Sequence, residues 1–372
     1  MRSTWYRWIG YATAAWTFAY GLLGLYWTFG GRGFPFGVGD AELTAEEEPP
    51  LKFNLLGEAT PEVAGPVIAA LGLVGAVVAV LMARGYAKGP LRWLLPAFAW
   101  TVAVALAVGI QDYRTLIVVA YSPIMLIVVP FTGLAGEFQW SDLFTVPRLN
   151  LLVCLLAGVA WALTAVAHRR RVSGGCEACG RTGEDSSWID RAGRTATWIA
   201  FFAPLLYCAT RWAWALGFSL GIDPEFYREG QEIGLWIAGA LLATLGALGA
   251  VLTLGLIQRW GEVFPRWMIG LRGKRVPPML AVVPAVLVSV LITSAAWMYV
   301  RVVAIDGVTL STWPLTLPEV FWVVWGAALF VAAIAYHRRR RGACDVCGAG
   351  GAEAGPPLTP RATAASARPG RR

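Results

Sequence analysis

Two short segments carry the residue types most able to do chemistry. Cys176-Glu-Ala-Cys179-Gly180 and Cys344-Asp-Val-Cys347-Gly348 each place two thiols three positions apart, with a glycine directly after. That is the form of a zinc-ribbon knuckle, in which a tight turn aims backbone N–H groups at thiolate sulfur. Two such knuckles supply the four thiolates of a tetrahedral structural zinc site. The cysteines that would hold it are Cys176, Cys179, Cys344 and Cys347, brought together from opposite ends of the chain or from two subunits. Redox-active or sensing thiols, and two pairs with no joint role, are the competing readings. Cys154 and Cys208 lie inside apolar runs and read as packing residues.

Each cysteine pair follows the same lead-in. WALTAVAHRRR ends at Arg171 and FVAAIAYHRRRR ends at Arg341, so the chain's two histidines, His168 and His337, occupy matching places. A haem or metal shared by the two histidines is a weaker reading than a membrane-boundary one. Each precedes an arginine run of the kind that marks the lipid headgroup region.

The segments that position these groups are apolar. Hydrophobic residues make up 57% of the 372 and charged residues 15%, against about 25% charged in an ordinary soluble domain. Apolar runs occupy 8–29, 64–84, 92–111, 115–134, 149–168, 197–218, 234–257, 279–302 and 319–337. Each is about the 20 residues that a helix needs to cross the hydrocarbon core. Many of the 19 tryptophans stand at the ends of these runs, as in interfacial belts. The first run is too long for the core of a secretory signal and reads as a retained span.

Small residues repeat as well. Ala69, Gly72, Ala76 and Ala79 recur as Ala243, Gly246, Ala250 and Thr253, on the spacing of one helix face that lets neighbouring helices approach closely. The fold expected is an all-α membrane protein of about eight transmembrane helices in a tandem 4+4 repeat. The first membrane repeat is 1–172, a cytoplasmic connector 173–193 bears the first CxxC, and the second repeat is 194–347. A disordered polar tail, 348–372, closes the chain. Within this scheme 115–134, interrupted by Pro123 and Pro130, is a re-entrant or interfacial segment.

Charge sets the orientation. With the N-terminus, both CxxC segments and the C-terminus in the cytoplasm of a multi-pass plasma-membrane protein, all but seven of the 31 Lys and Arg lie inside. The exceptions are Arg32, Lys52, Arg114, Arg148, Arg211, Arg228 and Arg301. A nine-span arrangement with the N-terminus outside is the competitor, but it inverts the first two spans relative to their repeat partners.

Arg211 lies within the sixth run, where a charge needs a partner or a watery cavity unless it snorkels to the interface. Glu225, Glu229, Glu232 and Asp112 are the candidate partners lining an outward-facing polar cavity. The loop 258–275 is basic and aromatic, an orientation signal that could also meet anionic lipid or a protein partner. Nucleic acid is not an expected partner. No Walker A, HExxH, GxSxG or dinucleotide fingerprint occurs, so catalytic residues are not assigned and an enzyme is the less favoured class. Transporter, membrane scaffold and lipid-acting enzyme stay open, in that order.

Thr210–Gly217, Gln258–Met268 and Arg275-Val-Pro-Pro278, with the Gly/Phe/Pro stretch Gly30–Gly37, resemble a group of actinomycete polytopic integral membrane proteins without an assigned activity. The resemblance implies a membrane location and transfers no functional residue. An Ala45→Cys variant tests the topology: a membrane-impermeant thiol reagent should label it in intact cells. Labelling only after permeabilisation would overturn the eight-span arrangement.

Overall fold

The computed structural model describes residues 4–44, 49–132, 140–181, 187–266 and 268–349. It is all-helical, 74% helix, and among the described residues the nearest thing to a sheet is one antiparallel bridge between Val263 and Arg275. The connector's centre (182–186), Trp267 and the tail from 350 onward lie outside the described residues.

Eleven helices carry the architecture: α1 (Trp5–Thr28), α2 (Pro61–Ala83), α3 (Leu91–Val104), α4 (Tyr113–Thr132), α5 (Val146–Val172), α6 (Ser187–Ala215), α7 (Pro224–Glu232), α8 (Leu235–Thr253), α9 (Pro278–Asp306), α10 (Trp313–Val320) and α11 (Trp322–Arg340). Among the described residues, six helical segments are long and apolar enough to cross a membrane. They are α2, α3 with its π-helical continuation to Gly109, α5, α8 with its final turn to Leu256, α9, and α10 joined to α11. This fits a multi-pass membrane protein. The run at 115–134 is helical, as α4, and packs on α9 and α5.

Two cores form. Ala14, Ala79, Met82, Leu95, Ala99, Trp161 and Ala165 build one among α1, α2, α3 and α5. Ala200, Leu256, Ile292, Trp325, Leu329 and Tyr336 build the other among α6, α8, α9 and α11. The first depends on glycine. A Cβ on Gly72 would sit 2.4 Å from Gly21 Cα, and one on Gly24 would sit 2.6 Å from Ala69 N. Backbone therefore meets backbone between α1 and α2, because no hydrophobic drive separates helix from lipid and close contact must do the work. In α8 the buried Ala243 and Ala250 face α6, where Cys208 Sγ donates to Ala243 O at 3.1 Å.

One tryptophan departs from the interfacial pattern. Trp27 is 5% exposed, packed edge-on to Phe34 at 5.6 Å, because the Gly-rich segment after α1 folds back over the end of the helix. The arginine runs also do more than mark a boundary. Arg171 donates to Ala83 O at 2.7 Å and to Tyr6 O, and Arg339 donates to Leu256 O. The bonds to Ala83 and Leu256 satisfy carbonyls left open where a neighbouring helix ends, and the bond to Tyr6 ties in the start of α1.

The two cores join through α9, which packs on the π-helical turn, on α4 and on the short turn Pro50–Phe53. Arg301 Nη2 donates to Phe53 O at 2.5 Å, and Lys52 Nζ pairs with Asp306 at 2.9 Å. Replacing Gly72 by valine should destabilise the bundle by about 1–3 kcal/mol through overpacking. Gly249→Ala, where nothing lies within 4 Å, should change stability by less than about 0.5 kcal/mol. Thermal unfolding of the two purified variants measures the contrast.

Candidate metal centre

The sequence after α5 and after α11 makes the same turn twice. Gly180 N–H donates to Cys176 O at 2.7 Å and Cys176 N–H to Arg181 O at 3.1 Å. Gly348 N–H donates to Cys344 O at 2.8 Å and Cys344 N–H to Ala349 O at 3.0 Å. Both turns close through a left-handed residue, with φ of +72° at Gly180 and +71° at Gly348. A side chain there would strain the backbone, which explains the glycine after each CxxC.

The two turns face each other. Cys176 Sγ lies 3.9 Å from Cys344 Sγ, and Cys179 Sγ 3.7 Å from Cys347 Sγ. All four sulfurs fall within 4.8 Å of one another. A tetrahedral ion with metal–sulfur bonds of about 2.3 Å needs sulfur–sulfur edges of about 3.8 Å. The two cross-pair distances match that edge, so the residues present fit a four-thiolate ion.

Backbone N–H groups favour the ionised form of the first cysteine of each pair. The N–H groups of Cys347 and Val346 push the Cys344 thiol down to about 6, and the N–H of Cys179 lowers Cys176 in the same way. Burial pushes Cys179 up to about 11. Without a cation the cluster cannot hold four negative charges, since like charges this close disfavour one another. Arginines surround it: Arg170 Nη1 donates to Ala178 O at 3.0 Å and Arg341 Nη1 to Cys179 O at 3.3 Å. Arg181 reaches across to Gly342 O at 3.2 Å and to Ala349 O. The Arg341 and Arg181 bonds join the two turns independently of any ion, and the charge of all three arginines would offset that of a tetrathiolate centre.

The other expected residues are placed differently. Arg211 does not meet Glu225, Glu229 or Glu232, the acids nearest in sequence. Its guanidinium pairs with Glu319 Oε1, donates to Pro314 O at 3.2 Å, and lies over the rings of Trp214 (4.2 Å) and Tyr207 (4.5 Å). Glu319 is fully buried. Glu225, Glu229 and Glu232 are exposed on α7. Asp112, also fully buried, is committed to Arg114, which it meets at 2.7 Å. Arg114 in turn forks onto Asp40 at 2.8 Å, and Asn54 donates to Asp112 at 2.9 Å. Glu319, Asp40 and Arg114 were not singled out from sequence. Glu319 was read only as the start of an apolar run, although a carboxylate there was itself a signal.

His168 Nδ1 lies 3.2 Å from Met82 O, so this ring is engaged at the end of α2. Two cavities among the described residues are apolar grooves. One, of about 440 Å³, is lined by Trp198, Ile199, Phe202, Ala203, Leu206 and Phe321 with Thr195. The other, of about 410 Å³, lies between α1 and α5. Neither contains Arg211, Asp112 or the outer glutamates.

Helices of membrane-spanning length with a four-cysteine cluster at their ends define a polytopic membrane protein with a candidate tetrathiolate metal centre. Comparison with family models, curated proteins and solved structures finds no match for this chain. Removing Arg211 should leave Glu319 uncompensated, so Arg211→Met should cost about 3 kcal/mol. The double variant Arg211→Met, Glu319→Leu should recover most of that loss in thermal unfolding.

Proposed function

We propose that this chain is a multi-pass plasma-membrane scaffold whose cytoplasmic face is clasped by one structural zinc ion. Cys176 and Cys179 from the end of the first half and Cys344 and Cys347 from the end of the second are its ligands. The convergence of four sulfurs within 4.8 Å carries this reading. A closed four-thiolate shell leaves no open position for substrate, which suits a structural centre better than a catalytic one. When bound, zinc would supply cross-linking of the two CxxC turns, holding α5 and α11 at a fixed separation on the cytoplasmic side. Reduced thiols and the arginine-rich helix ends both suit that compartment.

The same proposal includes eight spans in a 4+4 repeat, counting α1 and α6 as the first span of each half. Support comes from the twin cysteine turns and from the two grooves. Trp8, Ile9, Ala12, Thr13 and Trp16 line one groove from α1, and Trp198, Ile199, Phe202, Ala203 and Leu206 line the other from α6. The two sets share one spacing, so equivalent faces of the two helices are left open. In this scheme α4 is the additional element of the first half.

A transporter with a polar outward cavity has less support, since Arg211 is engaged with Glu319 and the two cavities are apolar. A lipid-acting enzyme finds no paired acid and base in the apolar grooves.

Metal analysis of the purified full-length chain should find one zinc per chain, absent from Cys176→Ser and from Cys344→Ser. Replacement by cobalt(II) should give the absorption of a tetrahedral tetrathiolate, and chelation should lower the unfolding midpoint of the native protein only. Iron at the site, or a metal-free native protein as stable as a zinc-loaded one, would overturn the structural-zinc reading.

A further inference from the structure

The turn that links α2 to α3 is short, Arg84–Pro90, whereas the chain between the last turn of α8 and α9 runs from Ile257 to Pro277. This longer segment is folded. After a single 3-10 turn at Arg259–Gly261, Phe264 N–H donates to Lys274 O at 3.0 Å and Gly273 N–H to Phe264 O at 3.2 Å. Val276 N–H donates to Glu262 O at 2.9 Å, which closes a small antiparallel hairpin around the Val263–Arg275 bridge.

The last turns of α11 grip the base of the hairpin. Tyr336 Oη donates to Gly261 O at 2.7 Å, and Arg340 Nη2 to Glu262 O at 3.0 Å and Val276 O at 3.3 Å. Cys344 follows a few residues later, so the hairpin and the cysteine cluster lie at the same end of the bundle. Beyond the base, its composition changes. Ile269 at the tip is 99% exposed and Leu271 40% exposed. Arg266, Arg272, Lys274 and Arg275 are exposed around them, and no acidic residue occurs between Val263 and Pro277. The one acid at the base, Glu262, faces Arg340 at 3.9 Å. None of these four cations forms a salt bridge among the described residues.

An exposed isoleucine on a hairpin that also carries four exposed cations matches an anionic headgroup layer, where the charges meet lipid phosphates and the apolar tip reaches the acyl boundary. Position agrees with charge. The hairpin begins and ends at the membrane-spanning-length helices α8 and α9, so it emerges at the bilayer surface itself.

We propose that the hairpin Val263–Val276 is a binding site for anionic lipid headgroups, with Arg266, Arg272, Lys274 and Arg275 as the phosphate contacts and Ile269 and Leu271 as the apolar wedge. The proposal rests on the membrane-spanning reading and not on the metal.

Hydrogen–deuterium exchange of the full chain in nanodiscs tests it, comparing phosphatidylcholine alone with phosphatidylcholine containing phosphatidylglycerol. Backbone amides of 262–276 should exchange about fivefold or more slowly in the anionic discs, the effect of even one basic residue held at an anionic surface. The difference should vanish in about 1 M salt. It should also vanish in the variant Arg266→Gln, Arg272→Gln, Lys274→Gln, Arg275→Gln, and shrink in Ile269→Ser, while amides of α8 and α9 are unchanged. Equal exchange in the two lipids would overturn the proposal. So would protection that appears only when another protein is added, which would assign the hairpin to a protein partner. The metal content of the same samples reports separately on the zinc reading.

Discussion

Four sulfurs can share one ion only if their mutual distances are held to a few tenths of an ångström, and this requirement reaches through the whole bundle. The ligands come from turns that follow α5 and α11, so both helix ends must be fixed. Arg171 fixes the first by donating to the carbonyls that end α2 and to Tyr6 O, and Arg339 and Arg340 fix the second by donating to Leu256, Glu262 and Val276 carbonyls. Arg181, Arg341 and Arg170 then hold the turns themselves. The arginine runs thus act as donors to backbone carbonyls of neighbouring helices and of the 257–277 segment, some of them left open at helix ends. An ion held by these four sulfurs would tie the ends of α5 and α11 together.

The opposite end is tied by different chemistry. Arg301 and Lys52 connect α9 to the Pro50–Phe53 turn of the first half, and Arg114 collects Asp40 and Asp112 beneath the same segment. Charges removed from water must arrive paired, because an isolated one costs far more than the pairing returns. Arg114 is 2% exposed and each of its oxygen partners is within hydrogen-bonding reach, so the network locks the loop after α1 over the bundle. The π-helical turn at Ala105–Gly109 lies in the same region, and Gln111 caps the freed Leu106 carbonyl at 2.7 Å. Asp112 is thus held within a buried charge cluster in the first half, while Arg211 has its own partner, Glu319, in the second.

Legibility from sequence followed the range of the interaction. The two glycines of the cysteine turns, the helix lengths and the small-residue face of α2 are local properties, fixed by backbone sterics and by a period of 3.6 residues. Partners of single charges are not local. Arg211 stands near three glutamates in sequence, yet it meets Glu319, 108 positions away. The acids of α7 stay in water because that short helix lies outside the apolar runs, and solvation costs them nothing there. The burial of Trp27 is non-local in the same sense, since the Phe34 that covers it lies across a turn.

By itself, then, the chain determined that it is helical, that its helices are long and apolar enough to suit a membrane, and that two CxxCG segments follow two arginine-ended helices. Only tertiary structure decided that the two turns face each other with sulfurs 3.7–3.9 Å apart across the pairs. Spacing within a turn is set by a handful of backbone torsions. The distance between turns depends instead on how every helix between them packs, a sum of many weak contacts that no short motif encodes.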